Sequence, residues 1–105
     1  MAPALIGVPD WSVLRQTRDV TTDAGTFSRR GPWVISSLGF KVKALGRAGM
    51  EYVENGQVLH LDSEALASKA FIVYAQSLPA AQRTDIADNI TRAWRSMGFD
   101  VQVQY

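Results

Sequence analysis

The sequence predicts an α+β domain: a mainly antiparallel sheet, one long C-terminal helix packed on one face, and a final β-strand. Two observations predict this fold. The middle of the chain repeats apolar residues with a period of two, which is typical of strands with one buried face. After Pro79 the period becomes 3.6, and the alternation then returns, so a helix and a last strand close the chain.

The first third of the chain carries the weakest pattern. With 105 residues the chain has the length of a single domain, spanning 1–105. Residues 1–9 contain two prolines and a glycine and predict an irregular N-terminal arm. Asp10 is a candidate cap for a short helix that ends near Thr17. The composition of residues 21–31 predicts a loop or an irregular edge strand.

Two strands and a hairpin follow. Residues 33–36 form a β-branched and aromatic run, and residues 40–44 alternate apolar side chains with two lysines that we expect to point outward. Residues 50–54 and 57–61 flank Asn55-Gly56, a pair that tolerates the positive φ angles of a type I′ turn. This pair is the strongest short-range hairpin signal in the chain.

Residues 62–105 alternate between helix and strand signals. Residues 62–67 begin with an acid and predict a capped single helical turn, and residues 70–74 predict a central strand buried on both faces. Gly98 predicts the helix end, and residues 99–105 predict the final strand, pairing near residues 71–74. The predicted core consists of Ile35, Val42, Val58, Leu61, Phe71, Val73, Ile86, Ile90, Trp94, Met97, Val101 and Val103.

Composition excludes several functional classes. The chain has no cysteine, which excludes disulfides, thiolate catalysis and cysteine-bound zinc. It has no 18-residue apolar run and no phosphate-binding glycine fingerprint, so we expect no membrane association and no cofactor. The net charge of +1 argues against a general polyanion binder. Residues 1–50 carry a charge of +4 and residues 51–105 a charge of −3, so the chain predicts a basic and an acidic surface.

His60 and a group of acids are the residues with catalytic chemistry. His60 is the only histidine and could act as a general base oriented by Asp62 or Glu64, although a partly exposed strand histidine explains it as well. Glu51, Glu54, Asp62 and Glu64 surround the hairpin. Paired carboxylates can hydrolyse glycosides or bind a hard cation, but helix capping and solvation also explain these four.

The basic half of the chain suggests a second kind of surface. Basic side chains interleaved with aromatic ones can bind nucleic acid through phosphate contacts and base stacking. The residues in question are Arg29, Arg30, Trp33, Phe40, Lys41 and Lys43. Alternating lysines also protect an edge strand from aggregation, so both interpretations stay open.

The segment from Glu51 to Tyr105 resembles the immunity protein 74 family of bacterial polymorphic toxin systems. The matching features are the hairpin, an acid before a short apolar turn (Glu64), an aromatic-x-x-Tyr strand (Phe71 to Tyr74), a helix that begins with Arg and Ile, and Gly98 before the last strand. Between the Tyr strand and the helix the family carries a Trp and prolines, of which this chain keeps only Leu78-Pro79. The resemblance implies a small, non-enzymatic, cytoplasmic protein that neutralises a cognate toxin.

The first hypothesis is therefore a protein-binding protein without enzymatic activity. We expect its partner surface to be acidic and to include Glu51, Tyr52, Glu54, Asp62 and Glu64. The alternatives are a nucleic-acid-binding module that uses the basic residues, and a structural protein. Homodimer formation through an exposed sheet edge is compatible with each of these.

Overall fold

The computed structural model describes residues 17–22 and 25–105, which form one eight-stranded sheet and one α-helix. The predicted N-terminal arm and the short helix from Asp10 fall in residues 1–16, outside the described part. The strands are β1 (Thr17–Thr22), β2 (Gly25–Arg30), β3 (Trp33–Ser36), β4 (Phe40–Ala44), β5 (Ala48–Glu54), β6 (Gln57–Leu66), β7 (Ala70–Tyr74) and β8 (Asp100–Gln104). Helix α1 spans Arg83–Ser96, and two short 3₁₀ helices, Ala75–Ser77 and Ala80–Gln82, precede it.

The sheet has a simple topology because each strand pairs with the next one in the chain. The order is β1 to β8 without interruption, and every pair is antiparallel except β7 and β8, which are parallel. Helix α1 supplies the crossover that a parallel pair needs. The α+β prediction is confirmed, including the final strand and its pairing with Phe71–Tyr74.

Helix α1 packs on one face of the sheet and completes the core. Its apolar stripe of Ile86, Ile90, Ala93, Trp94 and Met97 is buried, as the period of 3.6 predicts. Trp94 and Phe71 have ring centroids 4.8 Å apart. Gly98 has φ +87°, and the Phe99 amide donates to the Trp94 carbonyl at 3.1 Å, which closes the helix as predicted.

The sheet curves around this helix. Helix α1 contacts both β3 and β8, which have four other strands between them in the sheet order. In a flat sheet β3 and β8 would lie five strand spacings, about 24 Å, apart. Helix α1 has 14 residues and is about 21 Å long. Because α1 nevertheless packs against both strands, the face that packs on α1 is concave and the opposite face is convex. We call the convex side the open face. Among the described residues, no helix combines the length and the apolar character needed to cross a membrane.

Four predictions about local structure are wrong. Of the two alternatives for residues 21–31, the loop is wrong and the described residues form strands: Thr17–Thr22 and Gly25–Arg30 pair with each other along their whole lengths. Residues 62–67 form no helical turn. Strand β6 continues to Leu66 and pairs with β7, and its side chains alternate as in a strand: Ser63 is buried, whereas Asp62 and Glu64 are exposed. These backbone pairings outweigh the local capping signal. Strand β7 is interior to the sheet, but its alternating burial shows that only one of its faces is fully buried.

The fourth wrong prediction concerns two core positions. Ile35 is 36% exposed and Val58 is 54% exposed, because both lie on the open face. Their neighbours Val34 and Leu59 point toward the helix instead. The remaining predicted core residues are buried, except Val103, which is half-buried and packs against the core.

Candidate functional site

The open face brings together most of the residues that the sequence singled out. Residues that are directly opposite each other on neighbouring strands point to the same face of the sheet. The register therefore aligns five side chains in one row across β2 to β6: Arg30, Trp33, Lys43, Glu51 and His60. The next row contains Ile35, Lys41, Val53 and Val58. Asp62 and Glu64 extend the face along β6, beside Tyr74 and Ile72 of β7. No structural element of the described chain covers this surface.

The charged side chains of β2 to β6 on the open face are sorted into two strips. The basic strip consists of Arg30, Lys41 and Lys43 on β2 and β4. The acidic strip consists of Glu51, Asp62 and Glu64 on β5 and β6. The charge difference between the two halves of the sequence thus becomes a difference between two sides of one surface. Such a surface complements a partner that carries the opposite arrangement of charges.

Trp33 is held between two lysines within the basic strip. The Lys41 and Lys43 ammonium groups lie 4.3 Å and 4.7 Å from its ring centroid. Lys43 also lies 3.9 Å from the Glu51 carboxylate, and Arg30 lies 3.1 Å from the carboxylate of Asp19. Two of the three basic side chains therefore have carboxylate partners within the chain.

His60 lies at the boundary between the strips, with its imidazole Nε2 3.5 Å from the Glu51 carboxylate. Its side chain is 69% exposed. The orienting carboxylate is thus Glu51 on the neighbouring strand, whereas the sequence suggested Asp62 or Glu64. Glu64 instead accepts a hydrogen bond of 3.0 Å from the Tyr74 hydroxyl, which raises the pKa of that tyrosine. The described residues contain no group of three potential metal ligands.

The five residues predicted to bind a partner are divided between two faces. Glu51, Asp62 and Glu64 lie on the open face, whereas Tyr52 and Glu54 face the helix, because successive strand residues point in opposite directions. Tyr52 is 1% exposed. Its side chain links the hairpin to α1 by a hydrogen bond and is not accessible to a partner in this structure.

Tyr52 is the centre of a chain of hydrogen bonds. Its hydroxyl donates to the Glu54 carboxylate at 2.6 Å and accepts from the Asn89 amide at 2.9 Å. The Arg92 guanidinium in turn donates to the Asn89 side-chain oxygen at 2.7 Å. Burial, and then the hydrogen bond to Glu54, raise the pKa of Tyr52 well above its ordinary value. A polar cleft of about 430 Å³ opens between this hairpin and the N-terminal half of α1.

The residues of the nucleic-acid alternative are also divided. Arg30, Trp33, Lys41 and Lys43 lie on the open face, but Phe40 is 3% exposed on the helix side, where it stacks on Tyr52. The Arg29 guanidinium donates to the Gly31 carbonyl and lies 5.9 Å from the Trp94 ring. One of the two expected stacking rings is therefore inaccessible to a base.

The outer edge of the sheet at β8 is partly occupied by side chains. The Val101 carbonyl accepts a hydrogen bond from Arg95 at 3.2 Å, and its amide donates to the Asp100 carboxylate at 3.0 Å. These two backbone groups are not available for pairing with another strand. Dimer formation through this edge would first have to break both bonds.

Comparison with known proteins adds no identification: no protein family, no curated protein and no solved structure matches this chain.

Proposed function

We propose that this chain is a non-enzymatic protein-binding protein and that the open face is its binding surface. The observation that carries the proposal is the position of a basic strip directly beside an acidic strip on a convex sheet face that no element of the described residues covers. Exposed Val58 and half-exposed Ile35 supply apolar area within the same surface. Interfaces between proteins combine these components: apolar contacts, a polar surrounding and complementary charge.

The shape and charge of the face suggest what the partner looks like. A convex surface fits a concave one, and active-site clefts are concave. The acidic strip would contact basic groups in such a cleft. Together with the resemblance to the immunity protein 74 family, this supports a cognate bacterial toxin as the partner and the cytoplasm as the compartment. Of the five predicted contact residues, Glu51, Asp62 and Glu64 are the ones that we expect to touch the partner, because Tyr52 and Glu54 face the helix.

Nucleic-acid binding is the second hypothesis, and the geometry favours it less. A polyanion would meet the acidic strip next to the basic one, and like charges repel. Lys43 and Arg30 already have carboxylate partners, and the Trp33 ring carries two ammonium groups where a base would have to stack. No observation on the described residues specifically supports the third hypothesis, a structural protein.

The test is an affinity pull-down from the native host at low and moderate salt, using wild-type protein and two charge variants. In the first variant Asp62→Lys and Glu64→Lys invert two exposed acids on the open face. In the matched control Asp85→Lys and Asp88→Lys make the same change on the exposed side of α1. We expect one protein partner, identified as a toxin by mass spectrometry, that the control retains and the open-face variant loses.

Two other outcomes would contradict the proposal. Equal retention of the partner by both variants would remove the open face from the interface. Recovery of nucleic acid that decreases steeply with salt would support the second hypothesis. Co-expression of the identified toxin with each variant then tests neutralisation, because only a protein that still binds should restore growth.

A further inference from the structure

A shallow apolar depression lies on the open face near the hairpin turn. It has a volume of about 280 Å³ and is lined by Ile35, Gly39, Lys41, Val53, Asn55 and Gly56, with further contributions from Ser36, Phe40 and Glu54. Val58 is the cross-strand neighbour of Val53 and extends the apolar surface beside it. Its walls are therefore two β-branched side chains and the stem of a lysine.

Two glycines lie at the border of this depression. Gly39 has φ +102° and Gly56 has φ +76°, conformations that side-chain-bearing residues rarely adopt. A Cβ atom built at either glycine would meet no atom within 4 Å, so the space next to both positions is empty. The turn geometry thus supplies two side-chain-free borders to an apolar surface.

Lys41 places a positive charge at the border of the depression, and no carboxylate of the described residues pairs with it. Among the described residues, no carboxylate lies within ion-pair distance of Lys41, whereas Lys43 has Glu51 and Arg30 has Asp19. Glu54 lines the same depression, but its carboxylate accepts the hydrogen bond from Tyr52 on the opposite side of the sheet. An anionic group beside an apolar side chain would complement both features.

We propose that this depression is the anchor site of the partner interface and that it receives an aliphatic side chain lying next to a carboxylate. The inference rests on the proposed function, because it assigns the occupant of part of the open face. Protein interfaces concentrate their binding energy in such small pockets, where one side chain of the partner is desolvated. Lys41 would contact the carboxylate while Ile35 and Val53 contact the apolar group.

The experiment uses N-acetyl-L-leucine, which carries both groups, and N-acetyl-L-leucinamide, which lacks the carboxylate. Each is titrated into the isotope-labelled full chain while backbone amide and methyl NMR shifts are recorded. We expect shifts concentrated at Ile35, Gly39, Val53 and Gly56, with a Kd in the range of about 1–10 mM for a ligand of this size. The neutral amide should bind about twofold to fivefold more weakly, as the loss of one exposed ion pair predicts.

Two variants separate the role of Lys41 from a general effect of charge. Lys41→Met keeps the aliphatic stem and should give both compounds equal affinity. Lys69→Met makes the same change at a lysine whose ammonium lies 6.0 Å from the Phe99 ring, and it should preserve the preference. Shifts spread over the whole molecule, or equal affinity of the two compounds for the wild-type protein, would overturn the anchor site. Neither result affects the pull-down, which tests binding by the open face as a whole.

Discussion

The two faces of the same sheet differ in burial and in charge. Strand β5 illustrates this: Tyr52 points to the helix and is buried, whereas the adjacent Glu51 lies on the open face between Lys43 and His60. The helix side carries the core, and the open side carries sorted charges and exposed apolar residues. The period of two in a strand allows one segment to contribute to the core with one face and, in the proposed function, to a binding surface with the other.

The largest expected difference between the faces is in stability. Ile90→Ala removes a side chain that is fully buried, and we expect a loss of about 2–5 kcal/mol in the free energy of unfolding. Val58→Ala on the open face should change it by less than about 0.5 kcal/mol. Chemical denaturation of both variants measures the difference. Similar losses for the two variants would mean that the open face is also part of the core.

Tyr52→Phe tests the polar connection between the hairpin and α1. The change leaves Glu54 and the Asn89 amide without their common partner, and we expect a loss of about 1–2 kcal/mol. Tyr74→Phe is the matched control, because it removes a hydroxyl whose hydrogen bond to Glu64 is exposed. Denaturation midpoints provide the measurement. If both substitutions lower the free energy of unfolding equally, the buried hydrogen bonds of Tyr52 stabilise the protein no more than the exposed one of Tyr74.

The raised pKa of Tyr52 predicts a dependence of stability on alkaline pH. The folded protein holds the Tyr52 proton more tightly than the unfolded chain, whose tyrosines titrate near pH 10. This contribution is complete below that pH and is lost as the pH rises above it. Above about pH 10, wild-type stability should therefore decrease more steeply with pH than that of Tyr52→Phe. Parallel curves for the two proteins would contradict the burial of this hydroxyl.

The smallest expected effect concerns the ion pairs of the open face. Glu51→Gln weakens the contacts to Lys43 and His60, and we expect a change of less than about 1 kcal/mol in unfolding free energy. The same variant should slow association with the partner, because it removes one charge from the acidic strip. Denaturation and stopped-flow binding measure the two effects. A large loss of stability together with an unchanged association rate would mean that Glu51 stabilises the fold and does not contribute to partner binding.

Much of the fold could be predicted from the sequence where local and long-range signals agree. The Asn55-Gly56 hairpin, the apolar stripe of α1 and the Gly98 stop each have a period or a turn residue with one structural solution. The errors occurred where pairing overrides local preference. Residues 62–66 carry a helix-start signal but pair with β7, and Thr17–Thr22 gains its strand only through β2.

The candidate site was harder to predict for a physical reason. In the segment of Trp33, Val34 and Ile35, three consecutive residues are apolar. The sequence pattern therefore does not show which of these side chains face the helix and which face the other side of the sheet. The sequence grouped Tyr52 and Glu54 with Glu51 because they are neighbours in the chain. Their separation onto two faces, and the approach of Lys41 and Lys43 to Trp33, required the strand register.

The most direct test of the different roles of the two faces is site-specific crosslinking to the partner. A photoreactive benzophenone side chain would replace Val58 on the open face and, in a second protein, Asp88 on the exposed side of α1. Irradiation in the host cell, followed by mass spectrometry, identifies what each position touches. We expect a covalent adduct with one partner from position 58 and none from position 88. An adduct from position 88 alone would contradict the central claim.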